Sequence, residues 1–103
     1  MKVGGLWVSP VEVENVLIEH PAVVEAAVVG VPVEGLNKMK AYVIVREGHA
    51  GTPTLVEELQ QWCKGRLKRY EYPQIIEFVP DLPKTITGKI QRFKLRQAEP
   101  VKT

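Results

Sequence analysis

The sequence predicts an α+β domain in which a small mixed β-sheet is flanked by helices, with a short separate hairpin at the N-terminus. Three observations carry this. A helix with a full set of start signals opens near Ser9, two runs rich in Val, Ala, Ile and Tyr follow at 23–29 and 39–45, and a second amphipathic helix separates them from another apolar run at 75–79.

Ser9-Pro10-Val11-Glu12 has the form of a capping box, with Ser9 at the N-cap, Pro10 at the first helical position and Glu12 three residues on. Val8 and Val13 stand where a hydrophobic staple would. The helix runs to about Glu19 with Val13, Val16, Leu17 and His20 on one face, and His20-Pro21 closes it. The two following runs read as strands that pair, joined by a turn-like segment holding Pro32, Gly35 and Asn37. Residues 47–53 read as a loop before a helix capped at Thr52-Pro53, or by the box Thr54 to Glu57, with Leu55, Leu59, Trp62, Cys63 and Leu67 as its buried stripe. Residues 75–79 form a short strand, 80–89 a polar loop, 91–97 a last helix, and 98–103 a flexible tail. Ahead of everything, Gly4-Gly5 precedes a short apolar strand.

At 103 residues, with 45% hydrophobic and 25% charged side chains, the chain suits one small domain and is unlike a disordered segment. A core of that size leaves little room for a pocket enclosing a whole substrate, so an active site would be shared with another domain. Cys63 has no disulfide partner and no metal-ligand neighbours, which points to a reduced, cytosolic core residue and to no metal site. The absence of a membrane-length apolar run and of a signal-peptide pattern leads to the expectation of a cytoplasmic protein without membrane association. The formal charge is +2, but residues 52–103 carry ten basic and six acidic side chains against four and six in 1–51. The C-terminal half therefore attracts anions, a nucleotide or CoA phosphate more readily than nucleic acid, since no aromatic-basic interleaved motif is present.

The densest chemistry lies in Pro83-Lys84-Thr85-Ile86-Thr87-Gly88-Lys89-Ile90-Gln91-Arg92. It sets a lysine after a glycine, in a hydroxyl-rich loop, just before a helix start whose free N–H groups favour an anion. A solvated loop would explain the same residues. A P-loop is excluded, because its first glycine is replaced by Pro83 and the Ser/Thr after its lysine by Ile90. Gly4-Gly5 is either a flexible turn or a place where backbone passes close to a ligand. Lys64, Arg66, Lys68 and Arg69 gather at the end of the second helix, where they suit its dipole and are also possible phosphate contacts. His20 and His49 lack a visible nucleophile or metal partner and read as structural or surface residues. Trp62 reads as packing, and Trp7 as either packing or tunnel lining.

Together, the segments Val3-Gly-Gly-Leu-Trp-Val-Ser-Pro-Val-Glu-Val-Glu14, His20-Pro-Ala-Val-Val-Glu-Ala-Ala-Val-Val-Gly-Val-Pro32 and 83–92 resemble the C-terminal domain of adenylate-forming acyl-CoA ligases. The order is kept over nearly the whole chain. Residues 72–79 and 91–96 are most similar to benzoate-type CoA ligases.

The resemblance implies that residues 1–97 are this C-terminal domain, that the large N-terminal domain is absent, and that the hinge precedes Met1. It implies a carboxylic acid and Mg-ATP forming an acyl-adenylate, which CoA then converts to a thioester. Lys89 matches the adenylation lysine, and Gly4 and Gly5 match the segment bordering the pantetheine tunnel after the domain rotates. The domain's partner would be its own N-terminal adenylation domain, and the isolated chain would be inactive. The competing reading is a stand-alone binding module for CoA or another phosphorylated ligand, without catalysis.

Overall fold

The computed structural model of the chain describes residues 2–3, 6–7, 9–67 and 72–98, with 2–3, 6–7, 36 and 96–98 described by backbone alone. Strands β1 (Lys2–Val3) and β2 (Leu6–Trp7) pair antiparallel as the expected N-terminal hairpin. Helix α1 (Pro10–Ile18) follows, then β3 (Val23–Val33), β4 (Leu36–Val45), α2 (Pro53–Arg66), β5 (Ile75–Phe78) and α3 (Arg92–Ala98). β3, β4 and β5 form a sheet in that order, antiparallel between β3 and β4 and parallel between β4 and β5. The α+β class with a mixed sheet is the one the sequence predicts. A parallel partner needs a crossover, which α2 provides.

Both helix starts use the signals read from the sequence. Ser9 Oγ accepts from the Glu12 N–H at 3.3 Å, and Thr52 Oγ1 from the Leu55 N–H at 3.2 Å, with proline in the first turn of each helix. Of the two candidate caps for α2, Thr52 is therefore the one used. Val8, the other half of the expected staple, lies outside the described residues.

The β3–β4 connection is tighter than expected. The turn is only Glu34-Gly35, with φ of 51° and 80°, and Val33 faces Leu36. Two successive positive φ values define the primed two-residue turn whose twist matches paired strands. Pro32 and Asn37 are therefore strand partners instead of turn residues. Proline is tolerated because β3 is an edge strand and its missing N–H breaks no ladder.

Period-two alternation divides the sheet into two apolar faces. On one, Ala26, Val28, Met39, Ala41 and Val43 pack against Val13 and Leu17 of α1 and Leu55, Leu59 and Cys63 of α2. On the other, Ala27, Val29, Val31 and Tyr42 pack against Leu82 and Leu95, with Ile75, Val79 and Ile90 beside them. The chain after β5 thus closes the second face. Burial pushes the Cys63 thiol up to about 11, so at neutral pH it is a protonated core group.

Trp62 and Leu67 lie at the margin of the α2 stripe, only half buried, because each has a polar or solvent-facing side. Trp62 Nε1 donates to the Val16 carbonyl at 2.8 Å, tying α2 to α1. His20 closes α1: its Nδ1 accepts from the Ala22 N–H at 3.0 Å while Nε2 lies 2.5 Å from Glu58, and its ring meets Trp62 edge-on. Its role is structural. His49 is exposed in the loop before α2.

Gly51 crosses Phe78 of β5 at close range. A Cβ there would stand 2.6 Å from Phe78 Cγ and 2.7 Å from Cδ2, well inside contact distance. Gly51→Ala is expected to displace the ring and destabilise the chain by about 1–3 kcal/mol, read as a lower urea midpoint at unchanged slope.

A lysine hairpin anchored to the edge of the sheet

Residues 83–92 do not form the open loop leading into a helix start that the sequence suggested. Lys84 and Ile90 make an antiparallel bridge, and the residues between them, 85–89, form an exposed reversal. Gly88 has φ of +86°, a conformation side chains resist, and this lets the chain turn back. Thr85 organises the reversal. Its N–H donates to the Lys89 carbonyl at 2.8 Å, its carbonyl accepts from the Gly88 N–H at 2.9 Å, and its Oγ1 accepts from the Lys89 N–H at 3.1 Å while lying 3.0 Å from Thr87 Oγ1.

The expectation of free backbone donors beside Lys89 is accordingly corrected. The N–H groups of Gly88 and Lys89 are committed to Thr85, and that of Gln91 donates to the Pro83 carbonyl at 2.8 Å. Helix α3 begins only at Arg92. What the hairpin offers an anion is thus the charge of Lys89, not free backbone donors. Among the described residues its ammonium has no ion-pair or hydrogen-bond partner, and the residue is exposed.

Three anchors fix the hairpin on the domain. Lys84 Nζ pairs with Glu25 of β3 at 2.5 Å, and Ile90 packs on the sheet face beside Leu82 and Leu95. The third anchor is the Arg92 guanidinium, which grips the Glu14 carboxylate with both Nε, at 2.8 Å, and a terminal nitrogen. Glu14 Oε2 also accepts from the Val28 N–H at 2.7 Å, and the residue is 4% exposed. Its hydrogen bond and charge raise the pKa of Arg92 further, against a smaller effect of burial. This clasp runs from α1, past the free edge of β3, to the start of α3. Lys89 stands three positions before Arg92, so the clasp and the Thr85 bonds together set where the ammonium emerges.

Sequence reasoning missed Glu14 and Thr85. A signal existed for Glu14, since a carboxylate three residues before Leu17 falls on the buried stripe of α1 and must find donors there.

Of the other candidates, Lys64 and Arg66 stand apart from Lys89. The α2 end lies with the helix that covers the opposite sheet face. There the Arg66 guanidinium sits 3.3 Å from the centroid of the Trp62 ring, and Lys64 Nζ lies 4.5 Å from that of Tyr72. Both cations thus have aromatic partners, while both residues remain exposed. Lys68 and Arg69, and Gly4 and Gly5, lie outside the described residues, as does the side chain of Trp7. Among the described residues no group of three His, Cys, Asp or Glu side chains is placed to hold a metal, and no helix is long and apolar enough to cross a membrane.

Comparison with known proteins agrees with this architecture. The chain is 54% identical over 99 residues to the benzoate–CoA ligase of Thauera aromatica, covering 95% of this chain and 19% of that protein. It is 48% identical over 100 residues to 4-hydroxybutyrate–CoA ligase 1 of Metallosphaera sedula, covering 96% of this chain and 18% of the relative. The crystal structure of the anthranilate CoA ligase AuaEII in complex with anthranoyl-AMP superposes with a TM-score of 0.89 at 50% identity, over 99% of this chain and 20% of that one. The chain therefore spans about a fifth of the length of the relatives it matches. Residues 12–89, from the first turn of α1 through the lysine of the hairpin, match the AMP-binding enzyme C-terminal domain, and the chain belongs to that family.

Proposed function

We propose that this chain is the mobile C-terminal domain of an ATP-dependent, AMP-forming carboxylate–CoA ligase acting on benzoate or a related aryl acid, with residues 1–97 as the domain and 98–103 as a tail. The observation that carries the reading is Lys89: a cation without a partner among the described residues, held by backbone bonds at the end of an anchored hairpin, in a chain that is half identical to CoA ligases. In the first half-reaction a carboxylate oxygen of the acid attacks the α-phosphorus of ATP, pyrophosphate leaves with the bond it held, and acyl-AMP forms. The Lys89 ammonium sits between the carboxylate and the α-phosphate and offsets the negative charge that accumulates there; it remains protonated throughout. The magnesium ion accompanies ATP on the rest of the ligase.

In the second half-reaction the CoA thiol displaces AMP from the acyl carbon and its proton is released. A lysine reaching into the site would obstruct that approach, so the domain turns away and offers its N-terminal hairpin, with Gly4 and Gly5 bordering the pantetheine. Two sites assembled in turn by one moving domain account for functional segments at opposite ends of a short chain. Lys64, Arg66, Lys68 and Arg69 are the proposed contacts for CoA phosphates, with the stacked Arg66 and Lys64 presented in preset positions. The 54% identity to a benzoate ligase supports the aryl preference, and the 48% identity to a 4-hydroxybutyrate ligase is consistent with acid selection outside this domain.

Separating the half-reactions in the full-length ligase tests the proposal. With Lys89→Ala, pyrophosphate release from acid and ATP is lost and thioester formation from pre-made acyl-adenylate and CoA survives. Survival of both would leave a CoA- or phosphate-binding module without a catalytic lysine.

A further inference from the structure

The hairpin that carries Lys89 also carries an apolar side chain that nothing among the described residues covers. Ile86 is 107% exposed, whereas the other large exposed apolar residues among those described, Val11, Ile18, Val24 and Phe93, retain between 39% and 53%. Partial exposure of that kind is ordinary on a protein surface. Full exposure of an isoleucine at the tip of a reversal is different, because the tip is tied down. The Lys84–Ile90 bridge and the bonds from Thr85 to Gly88 and Lys89 keep it from folding back onto the domain. Its neighbours Thr85, Thr87, Gly88 and Lys89 are polar or small, and it belongs to neither apolar cluster of the described residues. Phe93, in the first turn of α3, is a half-exposed apolar residue close to the hairpin in sequence.

We propose that Ile86 is a docking residue, buried against an apolar surface of the same ligase's large domain when Lys89 enters the adenylation site and released when the domain turns for thioester formation. This rests on the adenylation role of Lys89. The occupant follows from two facts: about four-fifths of each relative lies outside the segment that matches this chain, and Ile86 shares its rigid hairpin with the one cation that must reach into that remainder. Lys89 alone would give the docked state a long-range attraction to anions but no fixed depth of approach. An isoleucine three residues away supplies a short-range contact that forms only when the hairpin is seated, so its burial favours the adenylation conformation over the thioester-forming one.

The experiment uses the full-length ligase with Ile86→Ser, Ile86→Leu and Lys89→Ala, measuring pyrophosphate release from acid and ATP, thioester formation from pre-made acyl-adenylate and CoA, and thermal unfolding. Serine is neutral, so the effect is not a charge placed beside Lys89. Ile86→Ser is expected to slow pyrophosphate release roughly ten- to a hundredfold, the range for burying one isoleucine in only one of two states, with Ile86→Leu close to the parent. Thioester formation and the unfolding temperature should be unchanged. Pyrophosphate release unaffected by Ile86→Ser, while Lys89→Ala abolishes it, would overturn the docking role and leave the lysine assignment standing. Equal loss in both half-reactions would also overturn it. If Lys89→Ala itself leaves pyrophosphate release intact, the functional reading fails and the docking role with it.

Discussion

On the proposed adenylation role, Lys89→Ala in the full-length ligase is expected to lower the rate of adenylation by about 10²–10³, the usual effect of deleting one preorganised charge-stabilising group. The structure makes this variant unusually clean. Every bond that Lys89 contributes to its hairpin comes from its backbone: the N–H to Thr85 Oγ1 and the carbonyl to the Thr85 N–H. Truncating the side chain removes the ammonium and leaves the reversal intact. Because the residue is exposed, stability should change by no more than about 0.5 kcal/mol, so the unfolding temperature separates a catalytic loss from a folding defect. Lys89→Gln, nearly the same length without charge, should behave like alanine. Lys89→Arg should recover little, because a planar guanidinium cannot take the place of a compact ammonium between two anionic groups. An arginine variant with near-parental pyrophosphate release would show that charge suffices and that the shape of the head group is immaterial.

What could be read in the sequence follows how local the determining physics is. Both helix starts were legible because a hydroxyl, a proline and the next turn's N–H lie within three residues of each other, as Ser9 and Thr52 show. The pairing of β3 with β4 was legible from composition, but its turn was placed too broadly. Proline usually interrupts a strand, and only the edge position of β3 permits Pro32 inside it, a fact of tertiary arrangement. The same holds at the site. The motif around Lys89, the proposed site residue, is local and legible, whereas the device that holds that residue is not. The free N–H groups expected near it are taken up by a threonine hydroxyl and carbonyl four and three residues back, and no residue pattern announces which donors a reversal will consume. Arg92 and Glu14 lie 78 positions apart, and nothing short of the fold brings them together.

That pair is the basis of the second large effect. Glu14→Leu is expected to destabilise the chain by about 2–3 kcal/mol, lowering its unfolding temperature by on the order of 10–15 °C. The carboxylate is nearly inaccessible, and its removal leaves the Val28 N–H at the edge of β3 without its acceptor and the Arg92 guanidinium without its counter-charge. Breaking a wholly buried ion pair commonly costs about 3–5 kcal/mol, but the Arg92 side chain is 30% exposed and recovers some hydration, which places the expected value below that range. Glu14→Gln discriminates between the two losses. An amide oxygen in the place of Oε2 can still accept from Val28 and from Arg92 Nε, while the amide nitrogen turns a donor toward the terminal nitrogen of Arg92 and forfeits that bond, so glutamine should retain the strand-edge bond and cost roughly half as much as leucine. Equal destabilisation by glutamine and leucine would mean that charge, not the strand-edge hydrogen bond, dominates the clasp. Stability unchanged in both would mean that the bridge between α1 and α3 contributes nothing net, and that the Lys84–Glu25 pair and the apolar packing of Leu82, Ile90 and Leu95 seat the hairpin on the sheet.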